Sequence, residues 1–179
     1  ELDLSRTSVQ DLLPLSNLKF LTKLNLAHTP INDIEVLGQM VTLENLDISG
    51  TSVSDISVLY PLPYLEEPEM AGTPVAALRD LSWQNIEQGD FYMYGAEADF
   101  DPDAAFPYFH QAYAQYDWTG GAAHVLGLMY ESGEGVDQDF DRAIDFFRIA
   151  TARFNQDAAF DLALMYEWGE GTDENYAEA

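Results

Sequence analysis

The chain is 179 residues long, with 47% hydrophobic and 13% aromatic residues, enough to bury a core and too apolar for a disordered chain. It carries 32 acids against 7 bases, a net charge of −25, which repels a phosphate backbone and argues against nucleic-acid binding. It has no cysteine, which excludes disulfides and thiolate metal sites, and no apolar run approaches the roughly 18 residues of a membrane span.

From Leu2 to Leu81 the sequence repeats every 22 residues, with Thr7, Thr29, Thr51 and Thr73 at one phase. Each repeat opens on a triplet: Leu2-Asp3-Leu4, Leu24-Asn25-Leu26, Leu46-Asp47-Ile48 and Pro68-Glu69-Met70. The alternation predicts a short strand with two side chains in and one out. Leu12 and Leu15, with their equivalents Ile34/Leu37, Ile56/Leu59 and Leu78/Leu81, predict a short helix or 3₁₀ turn on the convex side. The threonine slot follows the strand, where inward-turning backbone needs partners. Four threonines at one phase are expected to stack as a polar ladder. The fourth repeat departs from the pattern. Pro68 cannot donate to a strand ladder, and Ala77 replaces the repeated Asp11, Asp33 and Asp55. It reads as the degenerate end of the array, with Trp83 covering the open end of the core.

This pattern, complete in Leu21-Thr22-Lys23-Leu24-Asn25-Leu26-Ala27-His28-Thr29-Pro30-Ile31, resembles the bacterial leucine-rich repeat of the 22-residue, internalin-like type. The resemblance implies a module over residues 1–83, built as a solenoid of short parallel β-strands with convex helical turns. It also implies protein binding on the concave strand face. Carried onto this sequence, the outward positions are Asp3, Asn25, Asp47 and Glu69, flanked by Glu1, Lys23, Asn45 and Glu67.

Residues 84–179 follow a longer period. Met129-Tyr130-Glu131 recurs as Met165-Tyr166-Glu167, 36 residues on. Ala122, Leu126, Met129 and Tyr130 have helical spacing. Gly133 and Gly135 end that helix and make a turn. Asp139 caps a second helix that carries Ala143, Phe146, Phe147 and Ala150 on one face. Small Ala and Gly at fixed phase allow close helix approach. A weaker copy lies 38 residues upstream, pairing Tyr92 with Tyr130, Gly95 with Gly133 and Asp101 with Asp139; there Glu97 stands where the second glycine falls in the other copies. The pattern A-x-x-x-L-G-x-M-Y-x-x-G-x-G-V is similar to the Sel1-like repeat, a relative of the tetratricopeptide repeat. The resemblance implies an all-α solenoid that acts as an adaptor.

The acids of this half recur in phase: Glu131, Glu134 and Asp137, then Glu167, Glu170 and Asp173. Stacked repeats would bring them into a ridge along the hairpin-turn edge. Solvated loops and a docking ridge for a basic partner are both open readings of that ridge. Asp99, Asp101 and Asp103, like Asp137, Asp139 and Asp141, have the spacing of a calcium loop but lack its glycine and its terminal glutamate. His28, His110 and His124 share no ligand spacing, and no nucleophile or phosphate-loop motif occurs.

The sequence therefore predicts a two-part repeat protein: a non-enzymatic scaffold for protein partners, basic ones favoured by the charge. It predicts no cofactor, no metal, no nucleic acid and no membrane span. The rival readings are a fragment of a larger enzyme and an acidic mimic that blocks a basic, nucleic-acid-binding partner. Both ends cut through a repeat, so the chain is expected to be a segment of a longer array.

Overall fold

The structure, a computed structural model, describes residues 1–96 and 99–171. The chain divides into two compact units, Glu1–Leu78 and Arg79–Ala179.

In the first unit, β1 (Leu2–Asp3), β2 (Lys23–Asn25) and β3 (Asn45–Asp47) form a parallel sheet in chain order. Its register is the sequence period: Leu2 pairs with Leu24, and Leu24 with Leu46. Parallel strands need a long connection, and each repeat supplies one as a coil through a short 3₁₀ turn, at Leu13–Asn17, Glu35–Gln39 and Ser57–Leu59. The ladder recurs bond for bond. Leu4, Leu26 and Ile48 each donate to the next repeat, at Asn25 O, Asp47 O and Glu69 O, all at 2.8 Å. The repeated aspartates set the 3₁₀ turns. Asp11, Asp33 and Asp55 accept from the amides of Leu13, Glu35 and Ser57, each at 2.8 Å. Leu26, Ile31, Leu37, Ile48, Val53 and Leu59 are fully buried between strands and turns.

The threonines do not form a ladder. Each hydroxyl donates to a carbonyl three residues back in its own repeat, Thr29 to Leu26 and Thr51 to Ile48, at 2.6 Å. The single hydroxyl proton is spent on the local turn, so no threonine donates to its counterpart in the next repeat. In the fourth repeat Thr73 makes the same bond to Met70 and also accepts from Ala76 N at 3.1 Å. That second bond is a helix N-cap. Pro74 follows at the first helical position, where its missing N–H is harmless, and Ala77 lacks the carboxylate that forces a 3₁₀ turn elsewhere. The chain instead enters α1 (Pro74–Tyr94). Leu78 and Leu81 sit on this helix, 36% and 43% exposed, rather than in a convex core. Trp83, expected at the end of the repeat core, is also on α1 and is 54% exposed.

The second unit continues α1 and adds α2 (Pro102–Gln115), α3 (Gly121–Ser132), α4 (Phe140–Ala152) and α5 (Gln156–Trp168). Asp101, Asp139 and Asn155 cap α2, α4 and α5 by accepting from Ala104, Arg142 and Ala158 amides. Gly133 and Gly169 end α3 and α5 in left-handed backbone, the conformation a helix C-terminus favours. The two hairpin turns are closed alike: Asp101 N donates to Tyr92 O and Asp139 N to Tyr130 O, both at 2.9 Å. Helix α3 packs against α2, α4 and α5. Small residues carry the contacts, with Ala105, Ala112, Ala143 and Ala150 wholly buried beside Phe109 and Phe147. Ser82 and Asn85 tie α1 to the end of α2, through Ala112 O and the Gln115 side chain. No helix among the described residues is long and apolar enough to cross a membrane.

Candidate functional site

Three surfaces gather the candidate side chains, predicted and unpredicted. The first is the strand face of the first unit. Asp3, Lys23, Asn25, Asn45, Asp47, Glu67 and Glu69 all line one shallow hollow over the sheet, together with Glu1 and Glu66. The in–out alternation of the strands puts them there, since Leu24 and Leu46 between them are buried. Lys23 is the lone cation of this set. Three of the outward positions also serve the backbone. Asp3, Asn25 and Asp47 accept from the amides of Ser5, Ala27 and Ser49 at 2.8–2.9 Å, closing the turn that leaves each strand. The Ser5 hydroxyl and amide hold the Asp3 carboxyl below its ordinary range. Glu69 makes no such turn, and Asn45 is held instead by Glu66, at 3.0 Å.

The second surface is the turn edge of the helical unit. Glu134, Asp137 and Glu167 are exposed, whereas Glu131 and Glu170 are half-buried; Asp173 lies outside the described residues. Burial raises the Glu131 carboxyl, and the negative charges of Asp161 and Glu170 raise it further, with a smaller opposing effect from His124. The acids that act on Glu131 are therefore Asp161 and Glu170, not its phase partner Glu167. Beside them His124 Nε2 lies 2.7 Å from Asp161 Oδ2, joining α3 to α5. Glu134 acts elsewhere. With Asp90 it adds to the burial that raises the Tyr94 hydroxyl. No group of three or more acids, histidines or cysteines among the described residues is placed to hold a metal ion.

The third surface was not read from the sequence. A groove of about 280 Å³ runs between α2 and α4, lined by His110 and Tyr113 of α2, Tyr130 of α3, and Arg142, Asp145, Phe146 and Ile149 of α4. Its aromatic rings brace one another. Phe146 stacks on Tyr130 at 5.6 Å and meets Tyr113 edge-on at 5.4 Å. Arg142 lies over the Tyr130 ring and donates to its hydroxyl at 3.0 Å. Arg153 and Arg148 likewise lie over Tyr113 and Tyr166, so each arginine after residue 84 is seated on a tyrosine. The helical pattern put Phe146 and Phe147 on one face. The signal that could have split them is spacing: Phe147 shares the phase of Ala143 and Ala150 and is fully buried, while Phe146 faces the groove and is half-buried.

Comparison with known proteins bears on the helical unit. The Sel1 repeat model matches residues 76–117, 121–153 and 156–179. Among solved structures, the chain is similar to a Sel1 repeat protein from Oxalobacter formigenes, at 30% identity over 54% of this chain and 39% of that one, TM-score 0.48. It is similar to a protective antigen of uropathogenic Escherichia coli strains displaying an SLR fold, at 30% identity over 58% and 23%, TM-score 0.50. It is also similar to Helicobacter pylori cysteine rich protein B, at 21% identity over 60% and 84%, TM-score 0.43. The chain spans well under two thirds of the lengths of the first two. Comparison with curated proteins finds no match.

Proposed function

Over residues 76–179 the chain belongs to the Sel1 repeat family, and from that premise we propose that it is a non-enzymatic scaffold that holds protein partners on its open repeat surfaces. Sel1 repeats generally mediate protein–protein interactions. The observation that carries the reading is the family match itself, which runs over successive helical hairpins with turns closed by equivalent bonds, Asp101 to Tyr92 and Asp139 to Tyr130. Solenoids of this kind present extended surfaces rather than closed pockets.

The first unit is read as a leucine-rich repeat module and a second docking surface. A 22-residue parallel register supports that assignment, as do the aspartate-set 3₁₀ turns and the buried leucines behind each strand. Its strand face favours a basic partner, because Glu1, Asp3, Asp47, Glu66, Glu67 and Glu69 share the hollow with Lys23 as their sole cation.

The test is capture of binding partners from lysate with the full chain, identified by mass spectrometry at low and at high salt. The reading expects a defined set of basic proteins that is lost at high salt, where the Debye length falls to roughly 3 Å at 1 M. It also expects loss of that set when Asp47→Lys and Glu69→Lys are combined. Capture of no protein above background at either salt would overturn it.

A further inference from the structure

We infer that the outer face of α1 docks a basic amphipathic helix of a protein partner; this rests on the scaffold reading above and gives it a surface in the helical unit. Trp83, Glu87, Asp90 and Tyr94 stand at i, i+4, i+7 and i+11, which places them on one line of α1. All four are exposed. Ser82, Asn85, Gly89 and Met93 form the buried face of the same helix. That face is fixed to α2. Ser82 donates to Ala112 O, Asn85 to the Gln115 side chain, and a Cβ on Gly89 would lie 2.9 Å from the Phe109 ring. The outer line is therefore presented on a held element. It is about 16 Å long at 1.5 Å per residue, the length of about three turns of a second helix. A helix carries its own anchors at the same spacing of four and seven.

The charges select the occupant. The sequence has no lysine or arginine between Arg79 and Arg142, and Arg79 is bound to Asp80 at 3.1 Å. Among the described residues, Glu87 and Asp90 make no hydrogen bond or ion pair, and no cation lies over the Trp83 or Tyr94 ring. Besides burial, the charges of Asp90 and Glu134 raise the Tyr94 hydroxyl, so carboxylates from α1 and from the turn after α3 both bear on one exposed ring. Two acids thus lie between two aromatic side chains, with no positive charge of this chain to offset them. Tryptophan and tyrosine are the side chains that most often anchor an interface. A partner helix with apolar residues against Trp83 and Tyr94, and lysine or arginine against Glu87 and Asp90, meets both features. A neutral or acidic helix meets only the first.

The test uses the full chain and a fluorescein-labelled peptide of leucine and lysine, about 14 residues long with leucines at helical spacing, followed by anisotropy at about 0.15 M ionic strength. A leucine–glutamate peptide of the same pattern and a leucine–lysine peptide of strict alternation are run beside it. The variants are Trp83→Ala and the pair Glu87→Gln with Asp90→Asn. The controls are Phe160→Ala, an exposed aromatic of α5, and Asp145→Asn, an exposed acid of α4. Melting curves confirm that each is folded. The helical basic peptide is expected to bind, the acidic one not to, and the alternating one at least about fivefold more weakly. Trp83→Ala should weaken binding by about fivefold or more and the acid pair by about threefold or more, against less than about twofold for each control. A loss in Trp83→Ala no greater than in Phe160→Ala would overturn the α1 assignment. Equal losses in the acid pair and in Asp145→Asn, or equal binding of the acidic peptide, would overturn the basic occupant. If lysate capture finds partners and the peptide misses α1, the inference fails alone. If the peptide binds α1 and no partner is captured, the scaffold reading fails and the α1 surface stands.

Discussion

The imidazole of His28 occupies the space that a side chain at Gly50 would need: a Cβ added to Gly50 would lie 2.3 Å from His28 Nδ1. The two residues are 22 apart, and both hold left-handed backbone, φ +58° and +67°. Both also carry the ladder forward, His28 N–H donating to Ser49 O and Gly50 N–H to Ala71 O at 2.7 Å. Gly50→Ala is therefore expected to lose about 1–2 kcal/mol for a non-glycine residue in that region, plus the displacement of the ring. His28 is exposed and can swing aside, so the second part is small. In a His28→Ala background the cost of Gly50→Ala should fall by about 0.5 kcal/mol. Urea unfolding of the four-member cycle measures this, and strict additivity would show that the ring plays no part.

Glu131 gives the helical unit a pH dependence whose sign follows from its surroundings. Burial and the charges of Asp161 and Glu170 raise its carboxyl above the ordinary value. The folded chain therefore keeps the proton to higher pH than the unfolded chain does. Stability from this group is fully present below the ordinary carboxylate range and falls as pH rises through the raised value. Glu131→Gln is expected to melt higher than the parent at neutral pH, with the gap closing as pH drops toward the ordinary glutamate value. Added salt should shrink the part due to Asp161 and Glu170 and leave the part due to burial. Melting the pair across pH at two salt concentrations checks both statements; a gap that widens on acidification would contradict them.

Periods were the most legible feature of this chain, because a repeat that stacks must present the same chemistry at the same phase. Leu24 and Leu46, or Ala105 and Ala143, could be placed in a core from spacing alone, and the structure buries all four. The start of α1 was harder to see. Thr73-Pro74 repeats the Thr29-Pro30 of the second repeat, and only the loss of the aspartate at Ala77 separates a helix start from another 3₁₀ turn. The strand-face positions were legible as outward, but not as turn-closers, because an Asx turn depends on a local backbone angle that the alternation pattern does not encode. The groove was hidden for a different reason. It joins residues from three helices, Tyr113, Tyr130 and Phe146, and no single periodicity relates them.

Gly127 tests how close α3 and α4 must approach. A Cβ at this position would fall 2.5 Å from the ring of Phe147, which is fully buried. Alanine gains about 1 kcal/mol of helix propensity over glycine, while overpacking a close-packed core costs about 1–3 kcal/mol. Phe147 is fully buried, and Gly127→Ala is expected to be net destabilising by about 1 kcal/mol. The order should reverse once the ring is cut back. In a Phe147→Leu background, Gly127→Ala is expected to be neutral or stabilising. Thermal melts of the two single variants and the double variant decide it.

Asp117 organises the start of α3 from a buried position, with 1% of its side chain exposed. Its two carboxylate oxygens accept from the amides of Ala122 and Ala123 at 3.1 and 3.0 Å, donors that a helix N-terminus leaves without partners. Arg153 Nη1 reaches the same carboxylate and the Asp117 carbonyl, both at 2.9 Å, and so fastens the end of α4 to the start of α3. Removing one member of a buried pair strands the other away from water, at about 3–5 kcal/mol. Asp117→Ala is expected to fall in that range, because it loses the guanidinium partner and both amide acceptors together. Asp117→Asn keeps one carbonyl acceptor and should lose less, while Arg153→Lys keeps the charge but not the planar guanidinium whose Nη1 reaches both carboxylate and carbonyl, and should lose least. Urea midpoints at constant slope rank the three. Amide exchange at Ala122 and Ala123 locates the damage, which should appear in both Asp117 variants and be weak in Arg153→Lys. An Asp117→Asn variant as stable as the parent would mean that the carboxylate charge contributes nothing to this joint.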